Sequence, residues 1–266
     1  MNLYLHGIGN GESPIKSGDA LASDSGDRYD VVLTNPPFGK KSSFRVIGDD
    51  GAVEIEQESH ERGDFKFTTS NKQLNFMQHI LTTMESGGRA VVVLPDNVLF
   101  EAGSAGEGIR RRLLTQFDFH TLLRLPTGIF YKQGVKANVL FFDKHAPRAD
   151  GRPNTKAMWV YDFRTNKNFT LKKNPLKPAD LDEFAACYSA GRIDKRKESE
   201  RFKRFDVAEL LKRDKLNLDI FWLKDDGLDD VDSLPPPDEI AAQIIENLQA
   251  ALEVFQSVAD ELAAPR

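Results

Sequence analysis

Short β-branched, apolar runs alternate with stretches of helical period along the first two thirds of this chain, and that alternation limits the fold more than any other feature. Residues 29–34 (Tyr-Asp-Val-Val-Leu-Thr), 89–94 and 119–125 read as strands buried in a sheet. Between the first two, residues 73–84 place Leu74, Met77, Ile80, Leu81 and Met84 on one helical face, and Gly87-Gly88 is expected to stop that helix. A second helix is expected over 107–117, a fourth strand over 135–142 and a fifth over 158–163. Strand, helix, strand, helix, strand is the order of an α/β domain with a mostly parallel sheet. Residues 39–70 are polar, carry Gly39, Gly48, Gly51 and Gly63, and read as a long loop of the kind that often has a function.

Composition narrows the class. With 40% hydrophobic and 29% charged residues, the 266-residue chain fits a globular protein of one large domain, or one domain with an appendage. No apolar run approaches the roughly 18 residues of a membrane span. The first residues lack the basic flank and long apolar core of a signal peptide. The single cysteine, Cys187, forbids an intrachain disulfide and a CxxC metal knuckle; it points to a reducing compartment and reads as a small packed residue. The five histidines show no metal-ligand spacing, so no metal is expected. With 36 basic against 41 acidic residues and a net charge of −5, the chain lacks the basic surplus of a protein that grips nucleic acid alone. Work on DNA would need local patches or a partner that holds the duplex.

The character changes after about residue 165. Residues 195–204 carry six positive and two negative charges, which is either a solvated face or a contact to a phosphate backbone. Seven acidic side chains in 225–239 surround Pro235-Pro236-Pro237, a linker by its composition. Asp238 can cap a final helix in which Ile245, Leu248, Leu252, Phe255, Ala259 and Leu262 form a heptad-like seam. The expected organisation is therefore a sheet domain over 1–165, a helical and irregular extension over 166–234, and an amphipathic helix over 235–266. That helix either docks on a partner or packs back on its own domain.

Asn35-Pro36-Pro37-Phe38 follows the first strand directly. Four specified residues arise by chance in a chain of this length about once in a thousand sequences, which sets the tetrapeptide above an ordinary turn. It sits at the carboxyl end of a strand, where α/β sheets bind ligands. The exocyclic amino group of a base is a poor nucleophile because its lone pair is delocalised into the ring. Two acceptors aimed at its hydrogens, the Asn35 side-chain oxygen and the Pro36 carbonyl, would draw it toward a tetrahedral shape and free that pair. Tandem prolines fix φ near −65° and restrict the residue before each ring, so the acceptors are held in place beforehand. Phe38 offers a flat apolar face for a base to stack on. A base in a duplex reaches such a pocket only by flipping out. A plain strand-ending turn is the alternative, since Asn-Pro and Pro-Pro are turn dipeptides.

The stretch from Asp30 to Gly39, Asp-Val-Val-Leu-Thr-Asn-Pro-Pro-Phe-Gly, resembles motif IV of amino-group DNA methyltransferases. Further stretches resemble the modification (M) subunit of type I restriction–modification systems: residues 1–8, Gly18-Asp-Ala-Leu21, 93–100, 125–131, 134–142 and Leu216-Asn-Leu-Asp219. The resemblance runs over the whole chain. It implies N6-adenine methylation of DNA from S-adenosylmethionine, with a specificity subunit reading the sequence, a restriction subunit completing the complex, and a prokaryotic cytoplasmic setting. It implies that Asn35, Pro36, Pro37 and Phe38 are catalytic, and that Asp19 and Leu21 border the adenine of the cofactor. A glycine-rich cofactor loop of the type Asp-Pro-Ala-Cys-Gly-Thr-Gly belongs to the family upstream of Asn-Leu-Tyr-Leu-His, and Met1 is preceded by nothing of that kind.

The expected fold is thus an incomplete Rossmann-like methyltransferase sheet, without its first strands and cofactor loop, followed by a helical extension. Such a fragment is expected to be inactive alone and to self-associate through its open edge. Gly7-Ile-Gly-Asn-Gly11 reads as a polar turn rather than a substitute loop, since Glu12-Ser-Pro follows where a helix should start. Asp19 is a cofactor ligand or a surface-turn aspartate. Phe130 and Tyr131 could stack on the second face of a flipped base or, for Phe130, pack in the core. Lys40, Lys41 and Arg45 could touch phosphate or lie in a solvated loop. Two other readings stay open: a methyltransferase of RNA bases or glutamine amides, which meets the same amino-group problem, and a non-catalytic assembly module.

Overall fold

The computed structural model describes residues 2–9, 13–39, 43–47, 53–57, 62–131, 135–167 and 169–223. The expected linker and final helix, Lys40, Lys41 and part of Gly7–Gly11 lie outside them. After a four-residue turn of helix, α1 (Asn2–Leu5), come β1 (Tyr29–Thr34), β2 (Ser43–Ile47), β3 (Val53–Gln57), α2 (Lys72–Thr83), β4 (Met84–Pro95) and α3 (Ser104–Thr115). The second half adds β5 (Phe117–Leu125), β6 (Ala137–Lys144), β7 (Ala157–Asp162), α4 (Asp182–Tyr188), β8 (Phe202–Asp206) and α5 (Val207–Leu210).

Six strands form one sheet in the order β1-β4-β6-β5-β7-β8. β1 runs parallel to β4 and β5 parallel to β7, while β6 is antiparallel to both neighbours and β8 to β7. The sheet is therefore mixed, not mostly parallel. The physical reason is the short connection from β5 to β6, which leaves no room for a crossover and returns the chain as a hairpin wedged between β5 and β4.

The helical face expected on α2 is the one observed: Leu74, Met77, Ile80 and Leu81 are buried. Asn71 caps the helix, its side chain accepting from the Gln73 and Leu74 amides. α2 and α3 cover one face of the sheet, with Ile109, Leu113 and Leu114 packed with Val92, Leu94, Phe119, Leu140 and Phe142. On the other face, Phe184 of α4 packs with Leu123, Leu125, Trp159, Tyr161, Phe163 and Phe202. Each fully buried apolar side chain of this kind contributes about 1.5–3 kcal/mol.

Four expectations are corrected. The helix stops at Thr83 and β4 begins at Met84, so Gly87-Gly88 lie inside a strand rather than ending a helix. Close backbone approach explains Gly88, where a Cβ would lie 3.0 Å from the Tyr29 carbonyl oxygen. The supposed loop 39–70 contains the antiparallel hairpin β2–β3, Ser43 pairing with Gln57 and Ile47 with Val53; the period-two pattern Val-Glu-Ile-Glu was its signal. β1 forms where expected, but its Val31 and Leu33 side chains are 61% and 79% exposed, so the strand is not buried. Lastly, the basic run 195–204 is not one solvated face. Arg196 is buried, its Nε donating to the Tyr188 carbonyl and its Nη1 to Thr121 Oγ1, and Phe202 is fully buried in β8.

Candidate active site

The β1–β4 ladder ends where Thr34 pairs with Val92, and the chain leaves the carboxyl end of the sheet at Asn35. Asn35 is exposed, and among the described residues its side-chain amide makes no hydrogen bond. Pro36 is buried and Phe38 half-buried, so the tetrapeptide is anchored by its second residue and its aromatic ring while its amide stands free. That arrangement leaves the Asn35 amide oxygen available as an acceptor.

Phe38 meets Phe130 edge-on, with ring centroids 5.4 Å apart and planes at 66°. The loops following β1 and β5 therefore come together at these two rings, and both rings also pack against the core on that face of the sheet. Tyr131 is not part of the pair; it stands 95% exposed. Gly128 fixes the second loop. Its φ is +83°, and a Cβ there would collide with the Phe169 carbonyl oxygen, so the chain passes too close for any side chain.

Asp19 sits in a surface turn, its Oδ1 accepting the Leu21 amide at 2.9 Å. The Leu21 side chain is buried. One exposed carboxylate, half engaged in its own turn, does not by itself make a cofactor pocket. Asp19 and Leu21 alone therefore do not define a site for S-adenosylmethionine. Cys187 packs against the α4-side core around Phe184. Arg45 falls in β2.

Sequence reasoning missed an ionic lattice at the same carboxyl end of the sheet. Arg124 of β5 is fully buried; it pairs with Asp219, donates to Asn138 Oδ1 at 3.1 Å and reaches Asp96 Oδ1 at 3.4 Å. Asn138 in turn donates to Asp96 at 2.6 Å. Arg164 lies 3.4 Å from Asp162 and stacks on Phe221, with the guanidinium 4.6 Å from the ring centroid. Burial and the neighbouring Arg124 charge push Arg164 below the usual guanidinium range, against the pull of the three carboxylates around it. Arg110 of α3 donates to the carbonyls of Lys215 and Leu216 at 2.8 and 2.9 Å. Together these bonds strap residues 215–221 across the end of the sheet. The signal was present in two stretches, 93–100 and Leu216–Asp219, each with one aspartate, but nothing in their spacing says that both reach Arg124.

Comparison with known proteins agrees with this architecture. A family model described as N-6 DNA methylase matches residues 1–221. The methylase subunits of the type I restriction enzymes StySPI from Salmonella potsdam and EcoKI from Escherichia coli are each 37% identical, over 99% of this chain and 54% of their own length. The crystal structure of the EcoKI M protein superposes with a TM-score of 0.68 at 35% identity, covering 99% of this chain and 57% of that one. A structure from work on complex assembly in a type I restriction–modification system gives 0.64 at 27% identity, with 98% and 51% coverage. The chain thus spans about half the length of the curated relatives it matches.

Proposed function

The chain belongs to the N-6 DNA methylase family, and from that premise we propose that it is the adenine-presenting part of a type I modification subunit. In this reading the complete subunit transfers a methyl group from S-adenosylmethionine to adenine N6 in DNA. A specificity subunit selects the sequence and a restriction subunit joins the assembly, in the cytoplasm of a prokaryote. Among the described residues no helix is long and apolar enough to cross a membrane.

The observation that carries the reading is the free Asn35 amide beside the Phe38–Phe130 pair at the carboxyl end of the sheet. The Asn35 oxygen and the Pro36 carbonyl accept the two amino hydrogens of the flipped adenine. That pulls electron density back onto N6 and aims its lone pair out of the ring plane. Phe38 holds the base plane, and Phe130 must turn from its edge contact to admit it, because a base cannot fit between rings already touching. The methyl donor would have to be held by parts of the subunit beyond this chain. The net charge of −5 fits a division of labour in which another subunit grips the duplex.

Asn35→Ala in the complete subunit tests this. Adenine methylation should fall by at least about 100-fold, the scale on which loss of one preorganised polar partner acts, while assembly with the specificity subunit persists. Methylation near the wild-type rate would remove Asn35 from the reaction.

A further inference from the structure

Away from the tetrapeptide, a cleft of about 490 Å³ opens on the α4 side of the sheet, between the middle of β4 and residues 188–196. Val31 of β1 pairs with Arg89 and Thr34 with Val92, so Arg89, on the cleft wall, stands about 10 Å back along the strands from the end where Asn35 leaves. None of the residues lining the cleft belongs to the candidate active site. Its volume suits a small organic molecule.

The cleft is lined by a buried cation that is only partly spent. Arg196 is 7% exposed. Its Nε donates to the Tyr188 carbonyl at 2.7 Å and its Nη1 to Thr121 Oγ1 at 2.8 Å, and the guanidinium stacks 4.7 Å from the Tyr188 ring centroid. Its Nη2 has no partner among the described residues. A guanidinium carries five N–H donors, and a buried donor left unpaired costs more than a made bond gains. The contacts of Nε, Nη1 and the ring fix the plane of the group, so the Nη2 hydrogens are held in place before a ligand arrives. Arg89 lines the same cleft and makes no hydrogen bond or ion pair among the described residues. Two carboxylates share the cleft: Asp143 lies 3.8 Å from His120, and Asp194 is exposed and bonds neither arginine. Burial holds the Tyr188 hydroxyl above its ordinary pKa, so it stays protonated and can donate. Phe141 and Ile193 supply apolar wall.

We propose that this cleft binds a small organic oxyanion, a carboxylate or phosphoryl group on a compact apolar body. Its oxygens accept from Arg196 Nη2 and from the Arg89 guanidinium, and its body lies against Phe141 and Ile193. Charge-assisted bonds of this kind are about twice as strong as neutral ones, and a guanidinium matches the oxygens of both groups. The basic run 195–204 then serves ligand binding through one buried arginine, not as a stripe along a phosphate backbone. The site is independent of the methylase reading, because neither the tetrapeptide nor the Phe130 loop takes part in it.

The test is calorimetric titration of this chain with phenyl phosphate and, separately, with benzoate, at constant ionic strength in chloride. Saturable binding at a single site, with Kd below about 1 mM, is expected for at least one of them. Binding of phenyl phosphate alone would make the ligand a phosphoryl compound, and binding of benzoate alone a carboxylate. Arg89→Gln should weaken binding at least about 10-fold, as loss of a charged hydrogen-bond donor does, and it should melt like the wild type because Arg89 is exposed. Arg196 is left in place, since its other bonds hold Tyr188 and Thr121. Lys203→Gln on β8, at the far edge of the sheet, should bind as the wild type does. Three results would each overturn the proposal: no saturable binding of either anion, unchanged affinity in Arg89→Gln, or an equal loss in Lys203→Gln, which would mean attraction by general charge.

Discussion

The two edges of the sheet are built differently. At one end β8 carries Lys203 and Arg204, which sit 3.9 Å from Glu198 and 3.6 Å from Asp206. Its inward residue, Phe202, is fully buried and stacked on Trp159 with centroids 4.8 Å apart. Charge on the outside and an aromatic anchor on the inside make an edge that can face water without recruiting another strand. At the other end β1 offers Val31 and Leu33 to solvent and carries one charge, Asp30. The same sheet thus has a finished edge and one that reads as an interior strand.

That contrast can be broken or sharpened by substitution. The largest effect should come from the finished edge. Phe202→Ala should cost about 3–5 kcal/mol by urea unfolding, since it empties a buried aromatic site. Leu33→Lys, on the open edge, should change the stability of the isolated chain by less than about 0.5 kcal/mol. Equal losses at the two positions would erase the distinction.

The comparison extends to the loops that each region lends to the site. Phe38 follows the open edge, whereas Phe130 is on a loop locked to Phe169 through Gly128. Gly128→Ala forces a side chain into a left-handed conformation and a carbonyl oxygen, and should cost about 1–3 kcal/mol. It should also lower adenine methylation by the complete subunit by displacing Phe130. A variant with wild-type stability and activity would show that the Phe130 loop is not so fixed.

The smallest effect concerns pH. Burial would raise the Asp143 carboxyl on interior strand β6, but His120, 3.8 Å away, together with the charges of His145 and Arg89 outweighs it, and the group lies below its ordinary value. A depressed carboxyl stabilises the folded chain above the ordinary carboxylate range, and that stability is lost as pH falls through the range toward the folded value. Asp143→Asn should therefore flatten the acid limb of the stability curve, and Leu33→Lys on the open edge should leave its slope unchanged. An acid limb with the wild-type slope in Asp143→Asn would mean that Asp143 and the cations around it store no pH-dependent stability.

Periodicity and the tetrapeptide made much of this protein legible. The α2 face was readable because Leu74, Met77, Ile80 and Leu81 repeat at helical spacing, and β1 because six residues of strand character end at two prolines. The Asn35–Phe38 motif stood out because it is rare and ends a strand. The hairpin β2–β3 was hidden by polar composition, since its alternation is weak beside the surrounding glycines. The Arg124–Asp219 bond joins residues 95 positions apart, and no local pattern announces such a pair.

What the sequence determined by itself is local: where the strongly periodic strands and helices stand, where the Asn-Pro-Pro-Phe motif stands, and which family the chain resembles. Those follow from neighbour interactions along the chain, where side-chain period and proline geometry act over a few residues. Tertiary structure alone decided that β6 would reverse direction between β4 and β5, that Phe38 would find Phe130, and that Arg124 would gather Asp96, Asn138 and Asp219. It also decided that Val31 and Leu33 would lie bare, because burial depends on which other strands and helices lie against a residue, and a strand's own sequence does not specify them.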